Sequence, residues 1–440
     1  MFFHIKNILD NKNILILGFG REGRSTLDFI EKYITPLSVT IADLNSVSES
    51  DARGCTVVSG ESYQQGLEEY DVIIKSPGIV LENASDEVLS KLTSQTSLFL
   101  KEFKDRTVGI TGTKGKSTTT TLIYHVLKES GVSAVLLGNI GIPPLSTIEE
   151  FLKEGTVAVF EMSCHQLEYE TLSPHISVIL NLFEDHLDHY ITRENYIKAK
   201  RNIYLNQQKD DVFVCNSDLK EDIKNAVCKV VSVGDEGDVK VFDNGFSAFD
   251  KTFSLSENTS ALVGRHNVFN TAVAWAVASL FGVSKEAFMS ALKTYTPLPH
   301  RLQYVTTVND VEYYDDSIST VCQTTIQALL SFNDVSTVLI GGMDRGIDYT
   351  ELVEFFKTHK IDNVILMYES GERIAKLFDE EDMEYIFVKD LEEAVKVSVK
   401  ISESGKKCIL SPAAASYGYF KNFEHRGDMF CEYLKKYGDE

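Results

Sequence analysis

No Cys-x-x-Cys pair occurs in this sequence, and its seven cysteines, at positions 55, 164, 215, 228, 322, 408 and 431, form no Cys/His cluster with zinc spacing. This excludes a disulfide framework and a zinc ribbon, and it leaves scattered reduced thiols of the kind expected in the cytoplasm. Long apolar runs are missing as well. No stretch of 18 apolar residues occurs, so no membrane span is expected. The opening Met1-Phe-Phe-His-Ile-Lys-Asn7 has neither the basic start nor the apolar run of a signal peptide. Basic residues are scarce relative to acids: 43 Lys+Arg stand against 65 Asp+Glu, a net charge of −22. That balance argues against nucleic acid or an anionic membrane as a general partner, so any anionic ligand must be met by local positive groups. No internal repeat or low-complexity linker appears.

What is present is enough apolar material, 43% of 440 residues, for more than one core, and the length implies about three domains. Strand patterns alternate with helical ones throughout, which implies an α/β protein built on parallel sheets with crossover helices. Asn13–Leu17 reads as a strand, 24–33 as a helix, and 38–42 as a second strand ending at Asp43. A second unit opens near Thr107, with strands over 157–160 and 177–180. Pro297-Leu-Pro299 marks a second boundary. Strands follow near 303–307, 312–314, 337–340, 363–367 and 408–410. The expected domains are 1–105, 106–297 and 298–440, packed closely with ligands at their junctions.

Val108-Gly-Ile-Thr-Gly-Thr-Lys-Gly-Lys-Ser-Thr118 joins an apolar strand to a glycine-bracketed loop ending in Lys-Ser. Such a loop turns backbone N–H groups toward a phosphate. Gly112 and Gly115 permit the turn, Lys116 reaches the terminal phosphates, Ser117 offers a hydroxyl to Mg²⁺, and the following helix adds its positive end. Ile110 stands where the common pattern has glycine, so a plain strand-to-helix turn is the alternative. Gly18-Phe-Gly20-Arg-Glu-Gly23, with Asp43 at the distance of a ribose-binding acid, fits a dinucleotide fingerprint, a packing turn, or a crevice for another nucleotide's diphosphate.

Glu161, ending a strand, is placed as a Mg²⁺-binding acid is placed relative to a phosphate loop; a solvated strand-end Glu is the alternative. Asn181-Leu-Phe-Glu-Asp-His-Leu-Asp-His-Tyr190 is either a solvated loop or the carrier of a ligand, His186. Lys200, on the helical stretch Tyr196-Ile-Lys-Ala-Lys200, reads by itself as a surface lysine. Asn267 and Asn270 lie one helical turn apart, able to read an adenine edge or to cap a helix.

Taken together, these segments identify the chain as a member of the Mur ligases over essentially its whole length. The resemblance rests on Gly112–Ser117, Gly138-Asn-Ile-Gly141, Glu161-Met-Ser-Cys-His-Gln-Leu-Glu168, Glu184-Asp-His-Leu-Asp188, Gly264–Asn270, Leu298-Pro-His-Arg301, and Ser411–Ser416 through Phe420–Gly427. It implies three domains: a Rossmann-like domain for a UDP-substrate, a P-loop ATPase domain, and a Rossmann-like domain for an amino acid. It further implies a cytoplasmic monomer of peptidoglycan precursor synthesis that adds D-glutamate to UDP-N-acetylmuramoyl-L-alanine through an acyl phosphate, using ATP and Mg²⁺.

By the same resemblance Gly112, Thr113, Lys114, Gly115, Lys116, Ser117, Thr118, Asn267, Asn270, Arg301 and Asp316 would serve ATP. Gly18, Gly20, Gly23, Asp43, Asn139 and His186 would serve the UDP-substrate, and Thr320, Arg345, Ser416 and Phe423 the amino acid. Lys116, Glu161, His186 and Lys200 would be catalytic. Ser117 and Glu161 would hold one Mg²⁺, and His186 with a carbamylated Lys200 a second.

The departures from the pattern sit in one place. Ile318 stands where many relatives have Lys, and Arg345 where Lys is common, so a different amino acid such as L-glutamate is the alternative. A folylpolyglutamate synthetase-like ligase would lack the Gly18–Gly23 domain, the amidating relative would carry zinc cysteines, and a nicotinamide oxidoreductase would leave the Lys116 loop without a role.

Overall fold

Short Val/Ile/Leu runs bounded by glycine become strands covered on both faces. Val72–Lys75, Thr107–Thr111, Val157–Glu161 and Val335–Ile340 are buried at every residue, as strands with helices on both sides must be. The computed structural model describes residues 1–81, 84–183, 190, 192–255, 262 and 264–438. It divides into two compact units, one of Met1–Ala261 with Arg265–Tyr295 and one of Leu262–Gly264 with Thr296–Glu440. Among the described residues no helix is long and apolar enough to cross a membrane.

The first unit holds two sheets. In the five-stranded one the order is Thr56–Ser59, Ser38–Asp43, Asn13–Leu17, Val72–Lys75, Leu92–Thr93, all parallel. The order reverses beside Asn13–Leu17, so a crevice opens at the carboxyl ends of that strand and Val72–Lys75. The Gly18–Gly23 turn lies there. Gly18 has φ +92°, and Ser76 Oγ donates to its carbonyl at 2.9 Å. The helix begins at Arg21, three residues before the expected start, because Gly20 caps it directly.

The nine-stranded sheet runs Lys251–Ser254, Gly245–Ala248, Val239–Phe242, Lys229–Gly234, Val212–Asn216, Ile176–Ile179, Thr107–Thr111, Val157–Glu161, Ala134–Gly138. One continuous core joins the two sheets, from Ile14 and Ile41 through Phe99, Phe103 and Phe151 to Phe160. The Phe99 ring packs edge-on against Phe151 at 5.0 Å and Phe160 at 5.8 Å.

The second unit carries the sheet Gln303–Val308, Val311–Asp315, Lys407–Leu410, Val335–Ile340, Asn363–Met367, Ile386–Val388. Parallel pairing is not universal, contrary to the sequence expectation. Val239–Phe242, Gly245–Ala248 and Lys251–Ser254 form an antiparallel meander, and Gln303–Val308 pairs antiparallel with Val311–Asp315. Two-residue turns explain this. Phe249 and Asp250 have φ 49° and 64°, and Asn309 and Asp310 have φ 51° and 61°, the doubly left-handed turn that matches hairpin twist.

Alanine ordinarily stabilises a helix over glycine by roughly 1 kcal/mol. At Gly23 the sign inverts, because an added Cβ would stand 2.2 Å from the Gly18 carbonyl oxygen. Gly23→Ala is expected to destabilise by about 2 kcal/mol, an overpacking cost. Gly20→Ala, which meets nothing within 4 Å, is expected to be near neutral on this ground. Thermal unfolding of both variants checks this, and equal melting points would show that the turn is not packed as described.

Candidate active site

The loop after Thr107–Thr111 is closed by its neighbour strand. Asn181, just past Ile176–Ile179, accepts from Lys114 N–H through Oδ1 at 2.8 Å and donates to Lys114 O through Nδ2 at 3.0 Å. Its own carbonyl accepts from Thr113 N–H at 3.0 Å. Thr113 Oγ1 donates to Phe183 O at 3.2 Å and accepts from Tyr196 OH at 3.0 Å, so this hydroxyl braces the loop. Gly115 caps the helix Lys116–Glu129 at φ 83°, where a side chain would strike Asn270 Oδ1 at 2.8 Å. Ser117 and Thr118 follow in the first turn, where backbone N–H groups lack intrahelical partners.

Two lysines converge on one carbonyl. Lys116 Nζ donates to Gly112 O and Thr113 O, both at 2.9 Å. Lys200, 1% exposed on the helix Arg193–Leu205, donates to Gly112 O from beneath at 2.9 Å and lies 4.8 Å from the Tyr196 ring centre. It is therefore no surface lysine. Asn267 and Asn270 share the helix Arg265–Leu280, and Asn270 Nδ2 donates to Asn267 Oδ1 at 3.1 Å. His186 lies outside the described residues.

Glu161 pairs in register with Ile110, two residues before the loop, and is 1% exposed. Its Oε1 accepts from Asn139 Nδ2 at 2.7 Å, while Oε2 is buried without a hydrogen-bond partner among the described residues. A buried anionic oxygen left unsatisfied is unfavourable, and a hard cation is the natural partner for it. Mg²⁺ therefore fits the chemistry of this carboxylate oxygen. Gly138 has no room for a side chain, since a Cβ would lie 2.3 Å from Glu161 O, and that closeness delivers Asn139 to the carboxylate.

Asn139 also lines a crevice with Arg21, Glu22, Pro77, Gly141, Ser163 and Gln166, which links the Gly18–Gly23 turn to the edge of the phosphate-loop sheet. Arg21 Nη1 donates to Gly141 O at 2.9 Å, and Gln166 Nε2 to Glu22 Oε1 at 3.1 Å. Asp43 serves the turn itself. Its Oδ2 accepts from Phe19 N–H at 2.6 Å and its Oδ1 from Asn45 N–H at 2.8 Å. Lys75 Nζ reaches Ser76, Pro77 and Ile79 carbonyls at 3.2, 3.3 and 2.8 Å, and burial pulls its pKa down to about 8.

In the second unit, Thr320 and Arg345 come together: Arg345 Nη2 donates to Thr320 O at 3.2 Å from an exposed side chain. Ser416 is buried and accepts from Phe420 N–H through its carbonyl at 3.0 Å; Phe423 O accepts from Ser317 Oγ at 2.8 Å. Asp316 is buried rather than presented at a surface. Its Oδ2 accepts from Ser411 Oγ at 2.8 Å and its Oδ1 from Leu302 N–H at 3.2 Å, and burial raises its pKa to about 7. Arg301 Nε is buried without a partner among the described residues.

Sequence reasoning passed over Arg21, Glu22 and Gln166 in the crevice, Lys75 in a neighbouring cavity, and His300, Asp315, Ser317 and Arg426 in the second unit. Several of these lie inside the motifs already quoted. Most carry no spacing signal because their partners stand far away in sequence, 144 residues apart for Glu22 and Gln166 and 109 for Ser317 and Arg426; Lys75 bonds to carbonyls close by, and what its spacing does not reveal is its burial.

Burial raises the Glu22 pKa from 4.5 to about 7, against the opposing Gln166 hydrogen bond. The folded protein thus holds this proton more tightly than the unfolded chain, so stability from this group falls as pH rises through roughly 4.5 to 7. Glu22→Gln removes the titration. The melting point of the variant minus that of the wild type is expected to increase from pH 5 to pH 8. A difference independent of pH would mean that the carboxyl is solvated.

Comparison with known proteins agrees with this geometry. Residues 110–278 match the Mur ligase middle domain. A UDP-N-acetylmuramoylalanine–D-glutamate ligase from Ligilactobacillus salivarius is 34% identical, over 98% of this chain and 97% of that one. The protein of the same name from Bacillus thuringiensis strain Al Hakam is 33% identical, over 97% and 98%. Among solved structures, MurF ligase from Thermotoga maritima in complex with ADP superposes with a TM-score of 0.62 at 20% identity, covering 98% of this chain and 97% of that chain. UDP-N-acetylmuramate–alanine ligase MurC from the same organism gives 0.59 at 18%, covering 97% and 100%. Near full-length identity of this order, together with a shared α/β architecture, shows that the chain belongs to the Mur ligase family.

Proposed function

We propose that the protein is an ATP-dependent ligase that joins D-glutamate to UDP-N-acetylmuramoyl-L-alanine in peptidoglycan precursor synthesis, acting as a cytoplasmic monomer. The observation that carries the reading is the buried, unpartnered Glu161 Oε2 one strand away from a lysine-bearing phosphate loop. The relatives that share this chain's full length supply the choice of substrates.

In this reading the crevice between the Gly18–Gly23 turn and Asn139 takes the UDP-substrate, and Asn139 orients it beside Glu161. Loop N–H groups and the helix start at Lys116 bind the ATP phosphates. Glu161 and Ser117 would hold Mg²⁺, which would supply charge neutralisation for the transferring phosphoryl group. Lys116 swings from its two carbonyl partners onto that group, so its charge acts where negative charge develops. Asn267 and Asn270 hold the nucleotide side and Arg301 is a further ATP contact, while Asp316, buried with both carboxylate oxygens engaged, braces the turn at Leu302 instead of touching the nucleotide. Lys200, by family resemblance, would carry a carbamate as ligand for a second Mg²⁺ with His186. Thr320, Arg345, Ser416 and Phe423 receive the amino acid, whose amine displaces phosphate from the activated carboxylate.

Phosphate release by the purified protein, with UDP-N-acetylmuramoyl-L-alanine, ATP, Mg²⁺ and a panel of amino acids, tests the whole reading. Release driven by D-glutamate is expected. Turnover with L-glutamate that equals or exceeds it would overturn the choice of amino acid and leave the ligase chemistry intact. Lys116→Ala should lower the rate on the order of 10²–10³-fold while the protein stays folded; full activity would remove the ATP site from this loop.

Arg345→Ala removes a charge-assisted contact worth roughly 1.5–3 kcal/mol. It should therefore raise KM for the amino acid about tenfold or more and leave KM for ATP nearly unchanged. Equal effects on both constants would take Arg345 out of the amino-acid pocket.

A further inference from the structure

Every loop of the second unit that bears a proposed amino-acid contact converges on one guanidinium. Arg426 lies in the first turn of the helix Phe423–Gly438 and is 0% exposed. Its Nε donates to Ser317 Oγ at 3.0 Å and its Nη2 to Ser317 O at 2.8 Å, which fixes the loop after Val311–Asp315. Nη1 donates to Ala414 O at 3.0 Å, which fixes the loop after Lys407–Leu410. A Cβ built on Gly342 would stand 3.0 Å from the same Nη1, so the loop after Val335–Ile340 also rests on the guanidinium. Ser317 returns the constraint to the helix, because its Oγ donates to Phe423 O at 2.8 Å.

The depth of the guanidinium is set by the next residue. A Cβ on Gly427 would lie 2.1 Å from His300 Nδ1 and 2.4 Å from Asp315 Oδ2, so the helix start is pressed onto the buried His300–Asp315 pair. All three Arg426 hydrogen bonds end on neutral oxygens rather than on carboxylates. Burial pulls its pKa down to about 10 while the field of Asp315 opposes that shift. A buried cation without a contacting counter-ion is poor as a stabilising device. Its donors instead tie together the loops at a strand edge where a ligand with two carboxylates is proposed to bind.

We propose that Arg426 is a positioning residue for the amino-acid substrate: it holds the loops of Thr320, Arg345 and Ser416 and the helix start at Phe423 in register. This rests on the D-glutamate reading of that pocket. Arg426→Lys keeps the charge and loses the fork that spans the loops; Ser317→Ala keeps the cation and cuts its relay to Phe423.

Steady-state kinetics and amide hydrogen exchange on the full-length variants test the proposal. For Arg426→Lys, KM for D-glutamate should rise about tenfold or more, with KM for ATP and for the UDP-substrate within about threefold of wild type. Exchange should quicken in 317–320, 341–347 and 411–416 and not in the first unit. Ser317→Ala should show the same split more weakly, and it decides the matter if Arg426→Lys does not fold. An unchanged D-glutamate KM in a folded variant, or one uniform change in all three constants that follows loss of thermal stability, would overturn the proposal. Should wild type make no product with D-glutamate, the substrate reading fails by itself, and the loop exchange still decides whether Arg426 positions these loops.

Discussion

The clasp of Asn181 on Lys114 is the constraint on which the first unit's site depends. A loop that must turn its N–H groups outward toward a phosphate cannot satisfy itself within its own strand, and the neighbouring strand end supplies the missing partners through one amide side chain and one carbonyl. Once Asn181 fixes the loop, the Gly112 carbonyl points where both Lys116 and Lys200 reach it, and Gly115 rests against Asn270. Glu161 stands on the opposite side of the same strand, placed by its register with Ile110. Parallel strands ending together make this possible, because their carboxyl ends gather several loops within a few residues of one another.

Charge is handled in the same local way. The chain as a whole is acidic, at −22, yet its proposed ligands are anions. Cations on the surface are spent on carboxylates, as Arg53 is on Asp28 and Glu31, and Lys357 on Glu354 and Glu381. At the strand ends, the hydrogen bonds of Lys75 and Arg426 go to carbonyl and hydroxyl oxygens. A carbonyl orients a cation without cancelling its charge.

The readable part of this molecule was whatever local spacing encodes. The glycine turns, the strand at Asn13–Leu17, the strand at Asn363–Met367 and the loop ending in Lys116 follow from periodicity and from residues that must lie close in sequence. The antiparallel pieces escaped, although Asn309-Asp310 is itself a hairpin signal, because alternation of strands and helices suggested a single rule for every sheet. Lys200 could be chosen only through family resemblance: on its own helix it looks like any exposed lysine, and its burial is a property of the sheet above it. Arg426 shows the same limit more sharply. It sits within a quoted motif, but its partners lie at Ser317 and Ala414, and no pattern along the helix announces that an arginine there is fully buried.

The departure at Ile318 finds a physical account in the same loops. Ile318 N–H donates to His300 O at 3.1 Å and its side chain is half-buried, so the position is bound into the turn beneath the proposed pocket. A lysine there would supply charge from within that loop. Here the guanidinium of Arg345 arrives from the loop after Val335–Ile340 and fastens to Thr320 O, two residues beyond Ile318. A cation at 345 is common to both patterns, so the change at 318 removes one positive group from this backbone, and the one that stays is an arginine. Because Arg presents a planar fork where Lys presents a point charge, the replacement favours a carboxylate held by two parallel bonds. Ile318 then contributes packing within its turn, and the proposed recognition of a carboxylate falls to the fork of Arg345 held against Thr320 O.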